Sequence, residues 1–405
     1  MKLLLIHQAF AGPNDPGGTR HIELARHLVQ NGHEFTIIAS DVSYMTGQST
    51  GKGDGRLEEY DGVRVLRTQS SQALHKSFFW RVMAFLSFMV KSVLVAKRVQ
   101  SVDIVMGTSP PIFQALSACL VAALRRRPFV LEVRDLWPEF AVDMGVLTNP
   151  VLIRMARLLE MFLYRRATHI IVNSPAYRDY LIEKGVLSRK ISFISNGVNP
   201  AMFAPEETGQ HIRQEFNLGE KFVVTYAGAL GLANDIPTIL RAADLLRTET
   251  GIHFLLVGAG KESAALETMA ADMKLDNVTF TGSRPKSDMK HFLAASDVCL
   301  ATLKNIPMFR TTYPNKVFDY MAAARPTVLG IDGVIRQVIE ASNGGIFVEP
   351  GDETALANAV LELSRNRDKA RAMGRSARQH VVEHFDRQKQ AAEFASLLER
   401  LAGAR

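Results

Sequence analysis

The segment RTTYPNKVFDYMAAARP, residues 310–326, carries the residue types best suited to bind phosphate and ribose. Pro314 ends any preceding helix and Asn315 is a good N-cap, so the next helix places Lys316 and Asp319 one turn apart on one face. A lysine beside a helix N-terminus supplies positive charge for phosphate, and a carboxylate can accept hydrogen bonds from vicinal ribose hydroxyls. The pattern therefore predicts a nucleotide-binding helix; the alternative is a capped surface helix with a Lys316–Asp319 ion pair.

Two glycine-rich loops follow predicted strands and favour anion binding. Gly17 and Gly18 end the loop after the first strand, and Gly228 and Gly231 follow a strand of the second half. Glycine leaves backbone amides bare, and a helix N-terminus adds positive potential, so a diphosphate is the predicted ligand. The G-x-G-x-x-G fingerprint does not follow the first strand directly, which disfavours a nicotinamide dehydrogenase. We interpret Gly-Ala-Gly at 258–260 as a structural turn.

Charged residues cluster at the end of a strand in the first half. Glu132, Arg134 and Asp135 lie at and just past the predicted strand end, and Glu139 follows. Burying such charges is costly unless they are partnered or meet a ligand. Arg134 and Asp135 are therefore predicted active-site residues, with a structural ion pair as the alternative.

Short apolar runs alternate with longer helical patterns along the whole chain, which predicts an α/β fold of doubly wound parallel sheets. A chain of 405 residues is too long for one ordinary core, so two domains are expected. Turn residues near Asn196 place the boundary, giving domains 1–198 and 199–382 and a C-terminal helix, 383–405, that crosses back to the first domain. Residues 40–61 are rich in Gly, Ser and Thr and predict a mobile surface loop. The predicted strands are Lys2–His7, Glu34–Ala39, Val63–Arg67, Ile104–Gly107, Phe129–Arg134, His169–Asn173, Ile191–Ser195, Phe222–Ala227, His253–Val257, Val278–Thr281, Val298–Ala301, Pro326–Gly330 and Gly345–Val348.

The composition indicates the cellular compartment of the protein and the kind of partner it binds. The net charge of +7 divides into +8 on residues 1–198 and −1 on residues 199–405, so the first half is expected to face something anionic. Two cysteines in apolar runs cannot form a disulfide framework, which favours a reducing cytoplasm. The apolar run at the N-terminus is too short for a signal peptide, and no stretch is long enough to span a membrane.

The stretch from Lys76 to Arg98 predicts a helix with cations on one side and an apolar opposite face. Lys76, Arg81, Lys91 and Arg98 could attract anionic lipid to such a helix, and Met155–Arg166 repeats the pattern more weakly. A core helix would look similar and is the alternative. Nucleic acid is disfavoured because stacking aromatic residues are not interleaved with the cations.

Taken together, these motifs resemble, over nearly the whole length, the family 4 retaining glycosyltransferases of the GT-B fold. The resemblance is to bacterial enzymes of O-antigen and capsule assembly such as N-acetyl-L-fucosamine transferases. It implies two Rossmann-like domains facing across a cleft, with a nucleotide-sugar donor in the second and the acceptor in the first. The marks that carry it are Gly17-Gly18, Arg134-Asp135 where many relatives have a histidine, Asn196-Gly197-Val198 at the hinge, the Gly228–Gly231 loop and PNKVFDYMAAARPTV.

The resemblance also implies individual roles and two departures. Lys316, Arg284 and backbone amides would stabilise the departing nucleoside diphosphate without a metal or other cofactor, since no Asp-x-Asp or metal-binding His/Cys cluster is apparent. Many relatives carry two glutamates eight positions apart, whereas Thr311 and Asp319 stand at those places here. Relatives also carry an Arg and a Lys in the loop that here reads Gly231-Leu-Ala-Asn-Asp235.

The expected activity is retaining transfer of a hexosyl or N-acetylhexosaminyl group from a nucleoside diphosphate sugar, UDP-linked, to a glycan or polyprenyl-diphosphate-linked acceptor. Cell-surface polysaccharide synthesis is the expected setting, with the protein cytoplasmic or peripheral on the inner membrane face. A nucleotide-sugar epimerase of the same fold and a non-catalytic subunit are the alternatives.

Overall fold

The computed structural model describes residues 1–12, 19–42, 49, 56–69, 78–204 and 207–403. The chain divides into two compact units, Met1–Ser195 with Gln388–Arg405, and Asn196–Arg387. We refer to these as unit 1 and unit 2. The sequence predicted that the chain passes from one domain to the other after residues 198 and 382. In the structure it does so after residues 195 and 387.

Both units consist of alternating strands and helices. The strands are β1 (Lys2–Ile6), β2 (Glu34–Ser40), β3 (Leu57–Tyr60), β4 (Val63–Thr68), β5 (Ile104–Ser109), β6 (Phe129–Val133), β7 (His169–Val172), β8 (Ile191–Phe193), β9 (Phe222–Ala227), β10 (Ile252–Val257), β11 (Val278–Phe280), β12 (Val298–Thr302), β13 (Thr327–Gly330) and β14 (Gly345–Phe347). The α-helices are α1 (Arg20–Gln30), α2 (Phe78–Ala96), α3 (Ile112–Arg125), α4 (Glu139–Asp143), α5 (Pro150–Arg166), α6 (Pro175–Glu183), α7 (Gln210–Glu215), α8 (Ile236–Leu245), α9 (Ser263–Asp272), α10 (Met289–Ala295), α11 (Asn315–Ala322), α12 (Val334–Ser342), α13 (Glu353–Arg365), α14 (Arg367–His384) and α15 (Arg387–Gly403).

Unit 1 holds a sheet in the order β3-β4-β2-β1-β5-β6-β7-β8. All pairs are parallel except β3–β4, which is antiparallel. Strand β3 corrects the prediction that residues 40–61 form a loop. Asp61 and Gly62, with φ of 51° and 81°, form the tight turn between β3 and β4. An Asp-Gly turn of this kind is a hairpin signal, and the Gly/Ser-rich composition of the preceding residues obscured it.

Helix α15 completes the core of unit 1 although it ends the chain. Phe394, Leu397 and Leu398 are buried against strands β1 and β2. Gln390 donates a hydrogen bond from Nε2 to Ser195 Oγ at 2.8 Å. The predicted return of the C-terminal helix to the first half is therefore observed in the packing of unit 1.

Unit 2 holds an all-parallel sheet in the order β11-β10-β9-β12-β13-β14. Strands β9, β10, β12 and β13 are buried along their length, as expected for a sheet covered by helices on both faces. The strand order reverses between β9 and β12. Ligands of open α/β sheets bind at such a switch point, beyond the carboxyl ends of the strands.

Helix α2, Phe78–Ala96, corresponds to the basic helix predicted from Lys76 to Arg98. Lys76 lies outside the described residues; Arg81 and Lys91 are partly buried, and Arg98 is exposed. One face of α2 is core, because Ala84, Phe88, Ser92 and Ala96, four residues apart, are buried. Among the residues described here, none of the helices combines the length and the apolarity needed to cross a bilayer.

Candidate functional site

The predicted phosphate-binding helix is α11, and it begins at the switch point of unit 2. Asn315 is its first helical residue, and Pro314, with φ −67° and ψ 124°, occupies the N-cap. The prediction that Asn315 caps the helix is therefore wrong: Pro314 has the extended backbone of the N-cap, and the helix begins one residue earlier than predicted. Val317, Phe318, Tyr320 and Met321 are buried and fix the helix on the sheet.

Lys316 is partly buried beside the loop after β9. Its Nζ donates hydrogen bonds to Tyr226 Oη at 2.7 Å and Asn234 Oδ1 at 3.0 Å. Burial lowers the pKa of Lys316 to about 7 from its ordinary value of 10.5. Among described residues no carboxylate forms an ion pair with it, and in particular Asp319 does not. A cation held only by neutral oxygens beside a helix N-terminus is well placed to meet an anion.

The glycines after β9 and β10 permit the close packing of these loops. A Cβ on Gly228 would lie 3.1 Å from Lys316 Nζ, so a side chain there would crowd the lysine. A Cβ on Gly258 would lie 1.9 Å from Gly228 O, and one on Gly260 would lie 2.3 Å from Leu230 O. The Gly-Ala-Gly segment at 258–260, interpreted from the sequence as a structural turn, thus packs directly against the glycine loop after β9.

Neighbouring loops hold this arrangement together. Thr302 donates a hydrogen bond from Oγ1 to Asn234 O at 2.6 Å, which links the ends of β12 and β9. A Cβ on Gly333, whose φ is 92°, would lie 2.0 Å from Arg310 O, so the loop after β13 touches the segment leading into α11. The loops after β9, β10, β12 and β13 therefore surround the start of α11.

The remaining predicted donor residues fall into different surroundings. Asp319 forms an ion pair with Lys286. Arg284 forms an ion pair with Glu215 at 3.0 Å and does not contact Lys316. Thr311 Oγ1 donates to Met308 O at 2.6 Å, within its own turn.

Asn196 and Gly231, two further residues predicted to bind the donor, are both described in unit 2. Asn196 donates a hydrogen bond from Nδ2 to Tyr313 O at 2.7 Å, directly before Pro314. Gly231 has an extended backbone, with φ −128°, at the start of a short 3-10 turn. Gly17 and Gly18 lie outside the described residues.

Unit 1 contains a buried charged cluster at the carboxyl edge of its sheet. Arg20 Nε lies 2.9 Å from Glu132 Oε1, and His21 Nε2 lies 2.6 Å from Glu132 Oε2. Burial alone would raise the pKa of Glu132, but the charges of His21 and Arg20 outweigh it and hold that pKa well below its usual value. Arg20 also donates to the carbonyls of Ser195 and Ile194, so it fixes the end of β8.

Arg134 lies next to this cluster and contacts a histidine rather than a carboxylate. Its Nη1 lies 3.2 Å from His7 Nε2. Burial, followed by the charges of His21 and Arg134, lowers the pKa of His7 well below 6.5, so His7 is neutral and its Nε2 accepts. Among described residues Arg134 has no ion pair, and its Nε is buried without a partner. The predicted alternative of a structural ion pair is therefore not what the structure shows for Arg134.

His7, Arg20 and His21 are functional candidates that the sequence reasoning missed. His7 directly follows β1, and Arg20 and His21 begin α1, so all three lie at the carboxyl edge where ligands of such sheets bind. Their position after the first strand was the available signal. Attention to the glycines in the same loop obscured it.

Asp135 is predicted to destabilise the protein at neutral pH. Burial raises its pKa from 3.8 to about 6, so the unfolded chain releases this proton at lower pH than the folded one. Between these values the folded state binds more protons, and the free energy of unfolding falls as pH rises. Asp135→Asn should therefore raise stability at pH 7 by roughly 1–2 kcal/mol. Thermal unfolding should show no gain for the variant at pH 3.5, and an equal gain at both pH values would contradict this account.

The structure also brings together Glu207, His211 and His291 in unit 2, a set of donors suited to a divalent metal. His291 Nδ1 lies 3.0 Å from Glu207 Oε2, and the two imidazole rings have centroids 4.6 Å apart. The sequence analysis did not identify this group because His211 and His291 are far apart in the chain.

Comparisons with known families agree with this architecture. Residues 17–197 match the family described as glycosyl transferase 4-like domain, and residues 221–366 match glycosyl transferases group 1. The chain is 29% identical over 278 residues, 67% of its length and 68% of the relative's, to a probable glycosyltransferase, WbjE, of Pseudomonas aeruginosa. It is 25% identical over 84% of its length to a putative colanic acid biosynthesis glycosyl transferase, WcaI, of Escherichia coli, of which it covers 86%.

Solved structures share the fold at low sequence identity. A sucrose-phosphate synthase from Thermosynechococcus elongatus matches with a TM-score of 0.79 at 19% identity over the whole of both chains. Anabaena HepE in complex with UDP and glucose matches with a TM-score of 0.75 at 18% identity, over 98% of this chain and 99% of that one. With a parallel sheet and a Rossmann-like layout in each unit, and with family matches that span both units, the chain is a glycosyltransferase of the GT-B fold.

Proposed function

We propose that the chain transfers a sugar from a nucleoside diphosphate sugar, UDP-linked, to a hydroxyl of a glycan or polyprenyl-diphosphate-linked acceptor, with retention at the anomeric carbon. The observation that carries this proposal is Lys316, a partly buried cation with a lowered pKa and no carboxylate partner among the described residues, at the N-terminus of α11. An incoming diphosphate would supply the missing negative charge.

On the donor side, the glycine loops and Lys316 would bind the diphosphate and stabilise it as it leaves. The bond between the anomeric carbon and the diphosphate oxygen breaks while the acceptor oxygen attacks on the same face. The acceptor proton passes to a diphosphate oxygen, so no protein nucleophile is needed. Asp319 remains the proposed ribose ligand, and binding there would compete with its ion pair to Lys286.

On the acceptor side, Arg134 and Asp135 are the proposed active-site residues of unit 1. The buried His7 accepts a hydrogen bond from Arg134 and so orients the guanidinium. A guanidinium with no ion pair among the described residues can bind a phosphate or hydroxyl group of the acceptor. Asp135, with its pKa near 6, is charged at neutral pH and would accept a hydrogen bond from an acceptor hydroxyl.

The proposed pathway is cell-surface polysaccharide synthesis at the inner membrane face. Relatives named for colanic acid and amylovoran biosynthesis support it. The excess positive charge of the first half supports an acceptor that carries phosphate. We propose transfer without a metal, since Lys316 and backbone amides can meet the leaving-group charge; the group at Glu207 has no part in this scheme.

A ligand panel tests the donor assignment. Unfolding temperatures should be measured with UDP, GDP, ADP and dTDP and with their sugars, UDP-N-acetyl-L-fucosamine among them. A ligand at 100 times its dissociation constant adds about 2.7 kcal/mol of stability, which is readily detected. No shift with any of these nucleotides would overturn the donor-site proposal.

Turnover assays separate the remaining alternatives. Product formation that requires an acceptor and persists in EDTA supports the proposed reaction. Isomerisation of the donor sugar without acceptor would instead identify an epimerase. Loss of transfer in EDTA, restored by a divalent metal, would contradict the metal-independent scheme.

A further inference from the structure

Exposed apolar side chains are concentrated on three helices of unit 1. Of the 19 large apolar side chains exposed among the described residues, 11 belong to α2, α3 or α5. Scattered exposed apolar residues are normal, but a concentration of this kind marks an interaction surface. The residues are Trp80, Met83, Val90 and Leu94 on α2, Leu120 and Leu124 on α3, and Val151, Leu152, Met155, Leu158 and Phe162 on α5.

The pattern on α5 is the most regular. Val151, Met155, Leu158 and Phe162 are 65%, 60%, 63% and 45% exposed, although their spacing of four, three and four residues places them on one face within roughly 60°. The opposite face carries the buried residues of this helix, Ala156, Glu160, Leu163 and Tyr164. The helix thus has one apolar face in the core and a second one that no described part of the chain covers.

The three helices present their exposed faces together. Helix α3 contacts both α2 and α5, so the three lie side by side in one layer. Helices α2 and α3 pack on strands of the sheet, and their exposed residues lie opposite the buried ones. We call the 11 exposed apolar residues and the cations beside them the α2–α3–α5 face.

The charges on this face are of one sign. Helices α2 and α3 contain no Asp or Glu. The only acidic residue of α5, Glu160, is buried and bonded to Lys184 at 2.6 Å. Cations lie beside the apolar residues on all three helices. They are Lys91 on α2, Lys97 and Arg98 directly after α2, Arg126 and Arg127 after α3, and Arg154, Arg165 and Arg166 on α5.

This charge pattern indicates which kind of partner binds the α2–α3–α5 face. Two copies of the chain meeting through the face would bring cations against cations, which disfavours self-association. An apolar face bordered by lysine and arginine is the arrangement that lies in a bilayer interface, with the apolar groups in the acyl boundary and the cations at the headgroups. Exposed Trp80 fits the same environment, since tryptophan is enriched at that depth.

We infer that unit 1 docks on an anionic lipid bilayer through the α2–α3–α5 face, with the α5 stripe as its centre. The sequence hypothesis placed the contact on the helix predicted from Lys76 to Arg98, with Met155–Arg166 as a weaker repeat of the pattern. The inference builds on the proposed transfer to a lipid-linked acceptor and names the surface that would bring the enzyme to it. Its test is lipid binding, which does not require turnover.

Vesicle flotation with the full chain tests the inference. The protein should float with vesicles that contain phosphatidylglycerol and only weakly with pure phosphatidylcholine. The triple variant Met155→Gln, Leu158→Gln, Phe162→Gln should lower the partition by about a hundredfold, and Arg154→Gln with Arg165→Gln by roughly tenfold or more. All five positions are solvent-facing, so the unfolding temperature and the shift with a nucleoside diphosphate should be retained.

Matched controls use exposed residues elsewhere. Leu57→Gln, Leu187→Gln, Leu245→Gln removes three equally exposed apolar side chains, and Arg371→Gln, Arg375→Gln removes two exposed arginines from unit 2. Both controls should float like the parent. Parent protein that fails to float, stripe variants that float normally, or a parent dimer that the stripe variants dissociate would overturn the inference. Retained nucleotide shifts in a protein that does not float would leave the proposed donor site standing.

Discussion

Lys316→Met is expected to stabilise the unliganded protein while lowering its affinity for nucleoside diphosphates by at least about a hundredfold. Methionine matches the aliphatic stem of lysine but brings no charge into a partly buried site. Removing a partly desolvated charge that no carboxylate of the described residues neutralises should stabilise the protein by roughly 1–3 kcal/mol. The same charge is the one that a diphosphate would use, so stability and binding should change in opposite directions.

The pH dependence follows from the pKa of Lys316, which burial lowers from 10.5 to about 7. Between these values the unfolded chain binds more protons than the folded one, so the free energy of unfolding of the parent rises with pH. The Met variant should lose that rise. Diphosphate binding favours the protonated lysine, so affinity in the parent should fall as pH increases from 7 to 9.

Unfolding curves and calorimetric titrations with UDP at several pH values provide the measurements. Lys261→Met, at an exposed lysine of the same unit, is the control and should leave both quantities unchanged. A Lys316→Met variant that is less stable than the parent at pH 7, or that binds UDP normally, would show that the lysine is structural.

Arg134→Gln is expected to lower kcat by at least about a hundredfold and to leave the affinity for the nucleoside diphosphate within about twofold of the parent value. The reason is that Arg134 lies in unit 1, whereas the diphosphate is assigned to Lys316 in unit 2. Glutamine keeps hydrogen-bonding capacity toward His7 but removes the positive charge. The loss therefore reports on how the acceptor is held for the reaction rather than on donor binding.

Steady-state kinetics and thermal shifts with UDP together test this assignment. Arg178→Gln, at an exposed arginine on α6, serves as the control for losing one positive charge from unit 1. An Arg134→Gln enzyme with normal kcat would exclude the proposed role. A variant that loses diphosphate binding as well would mean that Arg134 supports the fold of the protein rather than the reaction.

Much of the fold could be predicted because its signals are local. Each predicted strand is observed, and its ends differ from the predicted ends by at most two residues. The prediction succeeds because buried parallel strands are short apolar runs that are followed by turn residues. The predicted C-terminal helix, 383–405, is observed as α15, which begins at Arg387. The missed strand β3 pairs through the Asp61-Gly62 turn, and its own residues, Leu-Glu-Glu-Tyr, lack an apolar run.

The site was less predictable because its partners are distant in sequence. The spacing of Lys316 and Asp319 indicated a shared face but not that Lys316 contacts Tyr226 while Asp319 pairs with Lys286. Likewise, the proximity of Glu132 to Arg134 in the chain suggested an ion pair. Strand alternation would put Glu132 and Arg134 on one face, but Arg134 lies beyond the end of β6, and Glu132 pairs instead with Arg20 and His21 at the start of α1.

The position of α15 has a consequence for synthesis of the protein. Unit 1 contains the first residues of the chain and also the last ones, and Phe394 and Leu398 are fully enclosed in its core. During translation the sheet of unit 1 therefore emerges early but stays incomplete, whereas every residue of unit 2 has been made before α15 appears. The nascent chain must keep the groove for α15 open, and protected from aggregation, until α15 has been synthesised.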